Sequence, residues 1–205
     1  MSYPIVRLFG CSVLLLLLVG CFNEPEPAYR SVPAENRVYL KEKGFRDWSD
    51  GVAEAVAGRE TRIDYLNLDR NALTNVGGVA AMTGLKWLRL NGNRLAGLPD
   101  LKGLANLRRI YLRNNRFSAV PETLKDLAAL TDVDLAENPI SEVPRWLAEK
   151  RGLKNLSFSR TQITKLPDDL GAWVSLQSLQ LGDLSLSPEE MARIRKALPK
   201  VAILF

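Results

Sequence analysis

The sequence of 205 residues contains no histidine and only two cysteines, Cys11 and Cys21. Without histidine, neither a Ser-His-Asp triad nor a Cys-His pair can be assembled. The same absence removes the Cys/His clusters that hold structural zinc. No G-x-x-x-x-G-K-[ST] or G-x-G-x-x-G sequence stands where a strand would pass into a helix, so the common phosphate cradles are missing too. Charge is present but scattered: the formal net charge is +5, with no long block of one sign. That balance permits attraction to acidic partners and does not demand it. No cofactor is implied.

What the chain does have is a repeat. An eleven-residue phrase recurs from Ile63 to Leu186 as IDYLNLDRNAL, LKWLRLNGNRL, LRRIYLRNNRF, LTDVDLAENPI, LKNLSFSRTQI and LQSLQLGDLSL. Successive starts at Ile63, Leu85, Leu107, Leu130, Leu153 and Leu176 lie 22 or 23 residues apart. Apolar residues alternate within each phrase, as at Leu88 and Leu90 or Ile110 and Leu112, which marks a strand with one buried face. A strand this short cannot bury enough surface alone. Stacked beside its neighbours, it builds a parallel sheet over one continuous core.

The phrase reads L-x-x-L-x-L-x-x-N-x-L, and on it the chain resembles the leucine-rich repeat family. The resemblance implies an α/β fold: a right-handed solenoid of about six coils over residues 63–186. Its parallel sheet would be concave, its return paths would carry short convex helices, and helical caps would close both ends. The resemblance also implies that Asn71, Asn93, Asn115 and Asn138 form a buried ladder, bonding the backbone of adjacent turns. A side-chain amide suits that task because it both donates and accepts. The ladder weakens at Thr161 and stops at Leu184, as befits a last coil. Four return paths contain a hydrophobe-Pro pair: Leu98-Pro99, Val120-Pro121, Val143-Pro144 and Leu166-Pro167. Proline fits the first turn of a helix, so three of these repeats are expected to carry one. The stretch 95–105, shorter and with two glycines, is expected to turn more tightly. Lys150 stands where other copies are apolar, so its stem should bury while its ammonium snorkels. Trp146 and Trp173 read as core.

Residues 1–20 read as a signal peptide. Arg7 precedes an apolar run, Leu8–Val19, whose helix would cover about 18 Å, short of the ~30 Å hydrocarbon core. Leu18-Val19-Gly20-Cys21 resembles the lipobox of bacterial lipoproteins. That resemblance implies cleavage before Cys21 and lipid on its sulfur and amine; an ordinary cleaved signal and an uncleaved short anchor are the other readings. Several acyl chains would anchor stably where one is marginal. The mature chain would then have no thiol, no disulfide and 27 basic side chains against 23 acidic. Phe22 rather than Asp follows the cysteine, which in Gram-negative lipoproteins favours the outer membrane of the cell envelope.

Residues 21–36, with three prolines after Cys21, read as an unpacked tether. Extended, it would hold the domain roughly 40 Å from the lipid surface. Residues 37–62 are expected to form a helical N-terminal cap, from Trp48, Val52 and Val56 at helical spacing and Gly58 as a stop. Residues 187–205 are expected to form the other cap. There Ser187-Pro188-Glu189-Glu190 starts a helix that carries Met191, Ile194 and Leu198 on one face, and VAILF adds a terminal strand or plug.

Stacking at the repeat offset aligns the outward strand positions. One row reads Tyr65, Trp87, Arg109, Asp132, Asn155, Ser178; the next reads Asn67, Arg89, Tyr111, Asp134, Ser157, Gln180. The first three coils are aromatic and basic, the fourth is acidic, and the last two are small and neutral. Trp, Tyr and Arg dominate binding hot spots. The expected ligand-binding residues are therefore Tyr65, Trp87, Arg89, Arg109, Tyr111 and Arg113, exposed on the concave face, with Asp132 and Asp134 beside them. Trp87 next to Arg109 suits a cation–π pair. Asp132 and Asp134 share one face and could in principle serve acid–base or calcium chemistry. The offset, however, sets Arg109 beside Asp132, and an ion pair accounts for the acid without a reaction. The chain is thus expected to be no enzyme but a monomeric, membrane-anchored module that recognises a protein or a glycan with acidic groups. A structural envelope spacer or assembly factor is the alternative. Nucleic acid is not an expected partner, because the basic residues form no continuous stripe.

Overall fold

The computed structural model describes residues 31–205; the expected signal peptide, Cys21 and most of the expected tether lie outside the described residues. Among the described residues eight short strands form one parallel sheet, in chain order from edge to edge. They are β1 (Arg37–Tyr39), β2 (Tyr65–Asn67), β3 (Trp87–Arg89), β4 (Arg109–Tyr111), β5 (Asp132–Asp134), β6 (Asn155–Ser157), β7 (Ser178–Gln180) and β8 (Ala202–Leu204). The register never slips. Leu66 stands beside Leu88, then Ile110, Val133, Leu156 and Leu179. These middle residues turn inward and are fully buried, as are Leu68, Leu90, Leu112, Leu135 and Phe158 one position past the strands. Side chains alternate across a strand, so a period of two in the sequence becomes one apolar face over the whole stack. That core is continuous from Val38 to Leu198.

The expected helical cap at residues 37–62 instead begins with a further strand-bearing coil. β1 pairs with β2 in the common register. Val38, Leu40 and Phe45 thus stand where the next coil has Leu66, Leu68 and Leu73, and Lys43 replaces the asparagine. Glu42 adopts φ 59°, and Arg70 at the equivalent position adopts 55°. The offset of 28 residues between Arg37 and Tyr65 accommodates a short helix, α1 (Val52–Val56), which buries Val52 and Val56. Trp48 packs over Gly78, where a Cβ would fall 2.2 Å from the indole.

The return paths are less helical than expected. Gly77–Ala81 and Glu122–Leu124 are 3₁₀ turns, α2 (Arg145–Ala148) is a single α-helical turn, and the path after Pro167 has turns alone. Pro121 and Pro144 explain the shortfall. Each stands at the cap position with extended ψ, 120° and 145°, rather than inside the first turn. Only three or four residues then remain to wind before the chain must reach the next strand. The stretch 95–105 makes turns without a helix. The C-terminal cap is α3 (Pro188–Ala197), with Pro188 in its first turn and the Ser187 hydroxyl accepting the Glu190 N–H; β8 pairs with β7 beyond it.

Buried asparagines tie coil to coil. Asn93 donates to Leu68 O of the previous coil at 3.0 Å and to Leu90 O of its own at 2.9 Å, and its Oδ1 accepts the Leu73 N–H. Asn115 repeats this with Leu90, Leu112 and Leu95, and Asn138 with Leu112, Leu135 and Phe117. Asn71 reaches back to Leu40 O and accepts from Lys43 and Phe45, so β1 is bonded as a true coil. At Thr161 the hydroxyl is buried with no partner among the described residues. The residue before each rung position, except at Gly92, is a non-glycine in the left-handed region: Arg70, Asn114, Glu137, Arg160 and Asp183. Three ion pairs link such residues in neighbouring coils, Arg70 to Glu42 at 2.9 Å and Arg160 to both Glu137 (3.1 Å) and Asp183 (2.9 Å).

Lys150 donates its ammonium to Leu127 O at 2.8 Å, and its burial lowers its pKa. Trp173 is buried with its indole N–H on Leu147 O, whereas Trp146 is half-buried and donates to Glu122. No helix of the described residues is long and apolar enough to cross a membrane.

Candidate functional site

The outward strand positions of β2 to β5 lie side by side in the paired register, Tyr65, Trp87, Arg109, Asp132 in one row and Asn67, Arg89, Tyr111, Asp134 in the next. Their exposure differs from expectation. Tyr65, Trp87 and Tyr111 keep only 2%, 8% and 1% of their surface in contact with solvent, and Asp132 and Asp134 are buried as well. Three things cover the rings: neighbouring rings, arginine side chains, and Val32 from the segment expected to be an unpacked tether.

Two chains of contact account for the arginines. In the first, Arg89 pairs with Asp69 at 2.8 Å, and its guanidinium lies 5.0 Å from the centroid of the Tyr111 ring. In the second, the Arg109 guanidinium lies 4.7 Å from the Trp87 ring and 3.6 Å from Asp132. Asp132 also accepts from Asn155. Arg113 pairs with Glu137 at 2.6 Å. A guanidinium hydrogen-bonds in its plane and stacks through its face, so Arg89 and Arg109, each paired and stacked, are held in a defined orientation, and Arg113 is fixed by Glu137. Their side chains remain 18–28% exposed, so each still offers an edge to the surface.

The acids on this face are structural donors' partners. Asp69 Oδ1 accepts the Asn91 N–H at 2.8 Å, Asn91 Oδ1 accepts the Arg113 N–H, and Asp134 Oδ1 accepts the Ala136 N–H. Burial raises the Asp134 pKa to about 6, opposed by its backbone bond and by Arg113. Burial likewise pushes the Tyr65 phenol up to about 12, so it stays protonated and accepts from Asn67. A shallow cavity of about 420 Å³ opens beside Arg89, Arg113, Asp134 and Glu137. A larger one, about 700 Å³, lies between Ser141–Arg145 and Thr164–Asp169, away from the strands. Its lining includes the exposed pair Lys165–Asp168, and Leu166, which is bonded to Glu190 and Arg193 of the C-terminal helix. Among the described residues no group of three acids or cysteines is placed to hold a metal ion.

Residues 83–140 match the family model for leucine rich repeats. With the strand register and asparagine rungs, that match decides the assignment. The chain carries leucine-rich repeats and has their fold. Among solved structures, it is similar to an internalin (inlF) from Listeria monocytogenes, with TM-score 0.63 and 23% sequence identity over 70% of the present chain. The match covers 41% of the internalin chain, so the likeness is one of fold over less than half of that protein. No curated protein matches the sequence.

Sequence reasoning missed two residues that shape this face. Val32 packs with Tyr65 and Trp87, and only its apolar character amid polar neighbours hinted at burial. Asp69 fixes Arg89, and its position two residues past Asn67, hence on the same side of the chain by period two, was the available signal.

Proposed function

We propose that this protein is a non-catalytic recognition module that binds an acidic protein partner through its concave face. It is held to a membrane of the cell envelope by lipid on Cys21. The observation that carries the reading is the ordered set of guanidiniums, Arg89, Arg109 and Arg113, presented at adjacent coils. Arginines fixed in advance lose less side-chain entropy when they take a carboxylate. Asp132 and Asp134 are engaged in internal bonds, which favours binding over acid–base chemistry. The site residues are those expected from the sequence with their roles divided: the arginines meet the partner, and Tyr65, Trp87 and Tyr111 form the platform beneath them. A glycan bearing acidic groups would meet the same edges. The lipobox-like Leu18-Val19-Gly20-Cys21 supports anchoring, and Phe22 favours the outer membrane in a Gram-negative envelope.

The test compares three full-length proteins in affinity capture from envelope extract: wild type, Arg109→Glu/Arg113→Glu, and Arg145→Glu as an exposed control on the return side. Circular dichroism verifies that all are folded. A species lost only with the double variant supports concave-face recognition. Identical captures would move the assignment to a structural spacer, a reading favoured by the internal pairing of these arginines. For the anchor, Cys21→Ser should release the protein from membranes, and retention would point to an uncleaved segment.

A further inference from the structure

The described chain begins on the open face of the sheet, not at its edge. Val32 is buried against Tyr65 and Trp87 as a small cluster separate from the main core. Its carbonyl accepts from Nε of Arg37 at 2.6 Å and from Nη2 of the same side chain. Tyr65 and Trp87 meet edge to face with centroids 5.9 Å apart, and Tyr39 flanks Tyr65 at 5.2 Å. Pro33 follows in an extended conformation, φ −53° and ψ 141°, and lacks the N–H that an extended chain would otherwise leave unpaired there. A groove of about 220 Å³ runs beside Ser31, Val32, Pro33, Lys86, Trp87 and Arg108. The contact is of the kind a bound peptide makes: one apolar side chain in an aromatic slot, with a carbonyl fixed by an arginine. The segment crosses the N-terminal half of the surface on which Arg109 stacks over Trp87.

We propose that the slot between Tyr65 and Trp87 is a peptide seat filled in cis by Val32, so that Ser31–Pro33 forms a strap over the N-terminal half of the concave face. A partner that spreads from Arg109 towards β2 must first displace the strap. The chain joins the domain on its ligand face, so any pull along the N-terminal segment acts on the seat directly. The seat itself is independent of whether the arginines bind a partner; its gating role rests on the concave-face reading.

The seat is tested in the full chain in detergent micelles through the indole N–H resonances of its four tryptophans, Trp87 being assigned with Trp87→Phe. Val32→Asp should shift the Trp87 resonance and leave that of the buried Trp173 in place, which also shows that the fold persists. A synthetic peptide of residues 28–36, AYRSVPAEN, should then bind Val32→Asp saturably and restore the shift, while wild type, already filled, should bind it at least about tenfold more weakly, a difference of ~1.4 kcal/mol. Val32→Ala should fall between the two. An unmoved Trp87 resonance in Val32→Asp, or equal peptide binding by both proteins, overturns the seat. Gating is read separately from the capture experiment. Retention of the Arg109-dependent species should rise about tenfold in Val32→Asp, the factor expected when ~1.4 kcal/mol of competition is removed. Unchanged retention, with capture still lost in the arginine double variant, overturns the gate while leaving concave-face recognition standing.

Discussion

The Arg109 guanidinium is 4.7 Å from the Trp87 ring centroid and 3.6 Å from Asp132 Oδ2. The two contacts are unequal. A partly exposed ion pair at 3.6 Å contributes up to about 1 kcal/mol and often nothing measurable. A cation over a largely desolvated indole contributes about 1–2 kcal/mol. Double-mutant cycles should therefore give a larger coupling for Arg109→Ala with Trp87→Ala, about 1 kcal/mol, than for Arg109→Ala with Asp132→Asn, below about 0.5 kcal/mol. Arg109→Lys keeps a cation that can sit over the ring but loses the planar stack, so its coupling to Trp87 should be smaller than that of arginine without vanishing. Equal couplings would assign the order of this face to charge rather than stacking.

The asparagine rungs give a pair of opposite predictions. Asn115→Ala takes the acceptor from the buried Leu95 N–H, while the carbonyls of Leu90 and Leu112 each lose one of two amide donors and keep Asn93 and Asn138. A buried group left unmade costs about 1–3 kcal/mol, so a loss of about 2 kcal/mol is expected. Thr161→Asn should do the reverse. By the rung pattern its amide would donate to Phe158 O and Leu135 O and accept the Ile140 N–H, replacing a buried hydroxyl that has no partner. A gain of about 1 kcal/mol, or about 2–4 °C in Tm for a domain of this size, should appear in thermal unfolding. A drop in Tm would mean that the fifth coil turns differently from its predecessors.

Coil spacing was legible because it rests on burial. Leu88 and Ile110 must point inward and Trp87 and Arg109 outward, and period two states this without reference to other residues. The core, the strands and their register follow. The coil at Arg37–Phe45 was hidden because Lys43 replaces the asparagine and the step to the next coil is 28 rather than 22 or 23 residues. The outward aromatics posed a different problem. Alternation tells which way Tyr65 and Trp87 point, but not that Val32, more than thirty residues away from Tyr65 in sequence, lies against them. Helical content failed at Pro121 and Pro144 because proline is compatible with both the cap and the first turn, and only the backbone decides between them.

Close approach between coils makes one glycine sensitive. A Cβ on Gly84 would lie 2.2 Å from the backbone oxygen of Thr61. Backbone cannot rotate aside as a side chain can, so the coils must separate locally. Gly84→Ala should cost about 2–3 kcal/mol, whereas Gly97→Ala, with nothing within 4 Å of the added atom, should be within about 0.5 kcal/mol of wild type. Urea unfolding of the two variants measures the contrast, and similar midpoints would argue against this packing of β2 and β3.

Glu190 ties α3 to the last return path. It accepts the Leu166 N–H at 2.8 Å and pairs with Arg193, which in turn donates to Leu166 O. The Arg193 bond holds its pKa below the usual range. Glu190→Ala should cost about 2 kcal/mol by leaving a buried N–H unpaired. Glu190→Gln, which can still accept that bond, should cost less. Proteolysis of the C-terminal segment reports the difference, and equal cleavage would show that the Arg193 charge pair, rather than the Leu166 bond, holds α3.

Asp134 should make the protein's pH dependence visible in a single substitution. Burial raises its folded pKa to about 6, against 3.8 for the free side chain. The native state therefore binds a proton more readily than the unfolded chain, and stability attributable to this group rises as pH falls from about 6 towards 4. Above pH 6 the buried charge is a net cost, of order 1–3 kcal/mol. Glu137 and Glu190 have the opposite sign, since their pKa values are lowered by arginine bonds, and they lose stability in acid. Asp134→Asn keeps the acceptor for the Ala136 N–H and removes the charge. It should be more stable than wild type at pH 7.5, by about 1–3 kcal/mol, and the advantage should vanish near pH 4, where Asp134 is neutral in both states. Chemical unfolding at a series of pH values measures this difference directly. A constant difference across that range would mean that Asp134 is ionised throughout, held so by Arg113.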